Sequence, residues 1–153
     1  MVTLTGPCLR ESVNAWVRVG TLISDLAAAF GGFVKPPARV IAGGPMMGVA
    51  QYTMDVPVSK AVGGIAFLDA GAGRPEEGVC IRCGRCVEAC AMGLVPTALM
   101  HRVKKEMFAE ASALGIRDCY ECGACAYSCP ARIPLLEYMK YGKSRSAAAE
   151  VPA

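Results

Sequence analysis

The chain of 153 residues is 54% hydrophobic and 19% charged, which excludes a disordered polymer and fits one ordinary domain or two small ones. A formal charge of +3 with no basic stripe interleaved with aromatic residues gives no case for nucleic acid binding. The most apolar stretch, Ala61 to Ala72, is broken by glycines and Asp69 and is too short to cross a bilayer.

The N-terminus MVTLTGPCLR lacks the basic start, apolar run and small-residue cleavage site of an export signal. The expected setting is therefore a reducing, cytoplasmic one, in which nine cysteines serve as ligands and not as disulfides; an odd count fits that reading better. Val2 and Leu4 alternate with Thr3 and Thr5 as in a strand, and Gly6-Pro7 turns the chain. Val13, Trp16, Val17 and Val19 make a second apolar stretch. Thr21 is the expected N-cap of a helix carrying Leu22, Ile23, Leu26, Ala29 and Phe30, which Gly31-Gly32 ends. A strand is expected over Arg39 to Ala42 and another over Ile65 to Leu68. Between them, Gly43 to Gly48 reads either as a tight turn with a buried methionine pair or as a backbone approach to a ligand or partner. Short strands around one helix predict a small α+β domain of β-grasp type over residues 1–74, with Cys8 as a small buried hydrophobe.

After the connector from Gly71 to Gly78 the composition changes. Eight cysteines fall in two C-x2-C-x2-C-x3-C runs: Cys80, Cys83, Cys86 and Cys90, then Cys119, Cys122, Cys125 and Cys129. Two intervening residues let successive thiolates curl around one face of a cubane cluster, whereas the fourth cysteine starts away from it and serves the other cluster. The expected ligand sets are Cys80, Cys83, Cys86 and Cys129 for one 4Fe-4S cluster, and Cys119, Cys122, Cys125 and Cys90 for a second. Zinc-thiolate sites are the rival chemistry, since four thiolates also suit tetrahedral zinc, but they do not call for this run twice over. With roughly −2 for each oxidised cluster and its thiolates, the formal +3 falls to about −1. Gly84 and Gly123, at matching places, are expected to let the backbone wrap closely and aim N–H groups at sulfur.

The 28 residues from Ala91 to Asp118 predict one helix, capped by Thr97, burying Met100, Val103, Met107, Ala111 and Leu114 and ending near Gly115. His101 is expected on its solvated side. Pro130 and Pro134 lead into a short helix with Leu135, Leu136, Tyr138 and Met139. The ferredoxin-like domain is thus placed at 75–141, with 142–153 as a disordered tail.

The segments VTLTGPC, VNAWVRVGTLISDL, VIAGGPMMG, CIRCGRCVEAC, DCYECGACAYSCP and IPLLEYMKYGK together resemble the C-terminal portion of the C subunit of Rnf electron-transport complexes. The related microcompartment cobalamin reductases share much of this arrangement. The resemblance implies an SLBB-type β-grasp module followed by a mainly helical two-cluster ferredoxin-like module. It also implies a location at the cytoplasmic face of a membrane complex, with a flavoprotein or NADH-binding subunit and ferredoxin or another redox protein as partners. The family's nucleotide and flavin domain has no counterpart in these residues, so NAD and FMN binding are not carried over. Ala91 follows Cys90 where the family has proline, as at Pro130, which restores an N–H beside that thiolate.

No catalytic residue is expected. The predicted function is an electron relay, with Arg82 and Arg85 in the first loop able to steer an acidic partner. The alternatives are the electron-transfer part of a cobalamin reductase and an assembly module with redox-silent clusters.

Overall fold

A computed structural model describes residues 1–71 and 76–148. The chain divides into two compact units, Met1–Arg74 and Pro75–Ala153. The first is an α+β sheet unit and the second is mainly helical, the mixed architecture that the sequence predicts.

In the first unit, strands β1 (Val2–Thr5), β2 (Val13–Ala15), β3 (Arg39–Ala42), β4 (Val49–Gln51) and β5 (Gly64–Leu68) form one sheet in the order β2-β1-β5-β3-β4. The first and last strands lie side by side and parallel, with Leu4 opposite Ile65; every other pairing is antiparallel. This is a β-grasp arrangement. Period-two alternation puts Val2, Leu4, Val40, Ile65 and Phe67 in the core, where Ile23, Leu26 and Ala27 of helix α1 (Ile23–Ala29) join them. Thr3 and Thr5 face outward, and the Thr3 hydroxyl donates to Asn14 at 2.7 Å. Cys8 is fully buried in this core, as expected of a small hydrophobe.

Three local expectations for this unit are corrected. Thr21 is not the helix cap: its hydroxyl donates to the Arg18 carbonyl at 2.9 Å, and the cap position falls to Leu22. The first helical N–H groups are satisfied from elsewhere, with Ile23 and Ser24 donating to the Val56 and Met54 carbonyls at 3.1 and 3.0 Å. Trp16 and Val19 lie beyond the end of β2 and are exposed, Trp16 by 89%. The Gly43 to Gly48 segment does turn tightly, with the Gly48 N–H donating to the Gly44 carbonyl at 2.6 Å, but Met46 and Met47 are exposed and not a buried pair. The edge strand β4 that follows was not legible, because three residues with two exposed side chains carry no alternation.

The second unit holds α2 (Arg85–Glu88), α3 (Pro96–Lys104), α4 (Phe108–Ala113), a single 3-10 turn (Ile116–Asp118), α5 (Ala124–Tyr127) and α6 (Leu135–Ala148). The predicted single helix between the cysteine runs is two. The break falls at Lys105 to Met107, where Glu106 takes a left-handed φ of 56° and Met107 donates back to the Arg102 carbonyl at 2.9 Å. Thr97 lies inside α3, which starts with Pro96 after a cap at Val95; proline loses nothing at that first position. Leu114 is exposed in consequence, whereas Leu99, Met100, Val103, Ala111 and Ile116 are buried.

The last helix runs on where a disordered tail from 142 is predicted. Gly142 to Ala148 are helical, and the predicted tail beyond 148 lies outside the described residues. The cause is packing at Gly142: a Cβ there would run into Ile116 Cδ1 and would lie 2.5 Å from Val103 Cγ2, so a bare glycine lets α6 close on α3 and the 3-10 turn. Arg117 then holds the far end by donating to the Ser146 carbonyl at 2.9 Å. Gly142→Ala is expected to destabilise the second unit by about 1–3 kcal/mol through overpacking, despite its better helix propensity. Denaturant unfolding monitored in this unit is the check, and an equal or higher midpoint would refute the close-packing account.

Candidate iron-sulfur site

The two cysteine loops are copies of each other in backbone. Each has one left-handed residue with a side chain, Arg82 and Glu121, both at φ 56°, then a left-handed glycine, Gly84 at 79° and Gly123 at 80°. No protein atom lies within 4 Å of where a Cβ would stand on Gly84, so among protein atoms the requirement there is the positive φ and not a close approach. Each glycine starts a one-turn helix, α2 or α5, that carries the third cysteine of its run.

The folded chain sorts the eight thiols into two groups. One cavity is lined by Cys80, Cys83, Cys86 and Cys129; a second is lined by Cys90, Cys119, Cys122 and Cys125. Each cavity thus takes three cysteines from one loop and the fourth from the other. Cys86 and Cys125 are buried, Cys83 and Cys122 are exposed, and the remaining four are half-buried. Helix α3 separates the cavities: Met100 lines the first and its neighbour Leu99 the second, both almost wholly buried.

Electrostatics follow the same grouping. Burial pushes the Cys86 thiol up, the N–H groups of Cys86 and Val87 pull it down, and Cys129 and Cys80 push it up again. Burial pushes Cys125 up to about 11 against the N–H of Ala126, with Cys119, Cys122 and Cys90 adding to the rise. Cys119 is also raised by burial, and is relieved by the Glu121 N–H, which donates to its sulfur at 3.4 Å, and by the Lys143 ammonium. A buried thiol with a raised pKa is costly to ionise, and backbone N–H donors aimed at sulfur offset that cost once a metal holds it as thiolate.

The donor set fits a polynuclear group. Among the described residues no three His, Cys, Asp or Glu side chains converge as they would around a single ion. Each cavity instead offers an all-sulfur set of four thiols, the ligation a 4Fe-4S cluster takes. His101 is exposed, as expected.

Several residues of the site were not picked out from the sequence. Ser128 donates to the Arg85 carbonyl at 3.5 Å and to the Cys125 carbonyl at 3.2 Å, tying the two loops together. Glu77 pairs with Lys104 at 2.6 Å and accepts from the Tyr138 hydroxyl at 3.1 Å, at the wall of the first cavity. Lys143 donates to the Cys119 carbonyl and pairs with Glu121, both at 2.8 Å. The last had a signal: Lys143 stands four positions after Met139, on the α6 stripe that turns inward.

Residues 79–133 match the family model of the 4Fe-4S dicluster domain. That stretch of the second unit is therefore a two-cluster iron-sulfur domain. Over nearly its whole length it is also similar to longer proteins. It is 41% identical over 97% of its residues to the C subunit of the proton-translocating ferredoxin:NAD(+) oxidoreductase complex of Clostridium ljungdahlii, of which it covers 33%. To the C subunit of the ion-translocating oxidoreductase complex of Rhodobacter capsulatus it is 41% identical over 94% of its residues, covering 28% of that protein. The corresponding protein of Yersinia pestis is 40% identical over 94% of the chain, which covers 24% of it. The chain thus spans about a third or less of the length of these curated relatives. No helix among the described residues is long and apolar enough to cross a membrane.

In cluster-stripped protein, thiol alkylation at pH 8 is expected to be fastest at Cys83 and Cys122 and slowest at Cys86 and Cys125, as mass spectrometry would resolve. The raised Cys125 pKa also sets a stability window. The folded state favours the protonated thiol, so the stripped protein keeps that contribution below the ordinary value of 9.0 and loses it as pH rises toward about 11. Unfolding midpoints that rise between pH 9 and 11 would contradict this.

Proposed function

We propose that the chain is a one-electron relay in which Cys80, Cys83, Cys86 and Cys129 hold one 4Fe-4S cluster and Cys119, Cys122, Cys125 and Cys90 hold the other. The observation that carries this reading is the sorting of eight thiols into two cavities, each completed by a cysteine from the far run. When bound, the clusters supply reversible one-electron chemistry. The chain's own residues do the rest. The loop N–H groups stabilise thiolate, Leu99 and Met100 keep water from the cavity walls, and Ser128 fixes the loops against each other.

The likeness to the C subunits of ion-translocating oxidoreductase complexes supports placing this relay in an Rnf-type assembly rather than with a cobalamin reductase. The first unit is read as its SLBB-type module. The proposed partners are a flavoprotein or NADH-linked domain on one side and ferredoxin or a membrane redox protein on the other, with the chain peripheral to the membrane. Arg82 and Arg85 are both exposed on the first loop and suit an acidic electron partner.

Two measurements test the reading. Anaerobically prepared protein is expected to contain about eight irons and eight inorganic sulfides. Cys80→Ala and Cys129→Ala should abolish the same paramagnetic signal, and Cys90→Ala and Cys119→Ala the other; loss of the Cys80-linked signal in Cys90→Ala would overturn the crossed assignment. Separately, the Arg82→Glu, Arg85→Glu double variant should slow cluster reduction by an acidic donor about tenfold at low salt, with the difference shrinking as ionic strength rises. A deficit that does not depend on salt would exclude electrostatic steering by these two residues.

A further inference from the structure

Lys143 reaches the second cysteine loop from α6, outside both cysteine runs. Its ammonium donates to the carbonyl of Cys119 at 2.8 Å and pairs with Glu121 Oε1 at the same distance. Only 28% of the Lys143 side chain is exposed, and 33% of Glu121. At the place of Glu121 the first loop carries Arg82, with the same left-handed φ. At the first cavity, Lys104 pairs with Glu77 and Arg102 with Glu110, and both of these carboxylates stand outside the two cysteine loops. The Lys143 contact is thus made to a cysteine's own backbone and to the left-handed residue that shapes the loop.

A fixed cation at that place acts on electron uptake. Reduction adds one electron and one unit of negative charge to the group that the loop holds, and nearby positive charge favours the more negative state. The walls of the second cavity include Leu94, Leu136 and Met139, so screening there is weaker than in water. Glu121 opposes the cation and cancels part of its effect, which gives the two residues opposite signs.

We infer that Lys143 is a positioning and charge-setting residue for the cluster of Cys90, Cys119, Cys122 and Cys125: it clamps the loop through the Cys119 carbonyl and raises that cluster's reduction potential, while Glu121 lowers it. The inference rests on the ligand assignment proposed above. It makes the two clusters unequal through one side chain of the last helix.

The test is a redox titration followed by paramagnetic resonance on anaerobically prepared full chain, with the cluster identified by the signal that Cys90→Ala removes. Lys143→Gln is expected to lower that cluster's reduced-to-oxidised ratio about tenfold at a fixed poise and to leave the other cluster unmoved. Lys143→Arg should stay near the parent, since it keeps the charge and a donor. Glu121→Gln should shift the same cluster in the opposite direction, upward. A purely structural clamp is broken by either neutral variant and would move both the same way; that result, or no movement in either, or an equal movement of both clusters, overturns the inference. If Lys143→Gln fails to load iron, the direction of the Glu121→Gln shift decides. Iron and sulfide missing from the parent protein would instead defeat the two-cluster reading itself.

Discussion

The second unit depends on one constraint: each cysteine loop must be completed by the other. Cys129 belongs to the second run but neighbours Cys86 and Cys80, and Cys90 belongs to the first run but neighbours Cys119 and Cys125. Neither loop can form its cavity alone, so the chain between them must return on itself. The break at Lys105 to Met107 serves that return by letting α3 and α4 fold against α6 in place of one long rod. The apolar cluster of Leu99, Met100, Val103, Ile116, Leu135 and Met139 then gives the unit a core of its own, beyond what metal ligation contributes.

The copied backbones do not make copied environments. The first cavity opens among Arg82, His101, Arg102 and Lys104, whereas the second is walled chiefly by apolar side chains and held by a lysine from the last helix. Potentials of iron-sulfur centres respond to net charge, hydrogen bonds to sulfur and exposure, so identical ligation is compatible with different redox behaviour.

The sheet unit obeys a different physics. Its stability comes from one apolar face of a mixed sheet covered by a single short helix, and the segment before β5 supplies the carbonyls that accept from the first N–H groups of that helix. The exposed Trp16, Met46, Met47 and Tyr52 set it apart from a sheet unit with a wholly polar surface.

Local pattern determined much of this protein from the sequence alone. Alternation in Val2 to Thr5 and the apolar runs at Arg39 to Ala42 and Ile65 to Leu68 marked three strands, because burial on one face repeats every second residue. The cysteine spacing marked the metal chemistry, because thiolates around a cubane need that reach whatever surrounds them. Tertiary structure decided what spacing could not. Thr21 is no cap because carbonyls of Met54 and Val56, from far along the chain, accept from the first helical N–H groups, and the predicted single helix is broken at Glu106, whose backbone is left-handed. Lys143 gained a place at the site only once α6 extended past Gly142 and met the Cys119 loop. Such contacts join residues far apart in the chain, and no local periodicity records them.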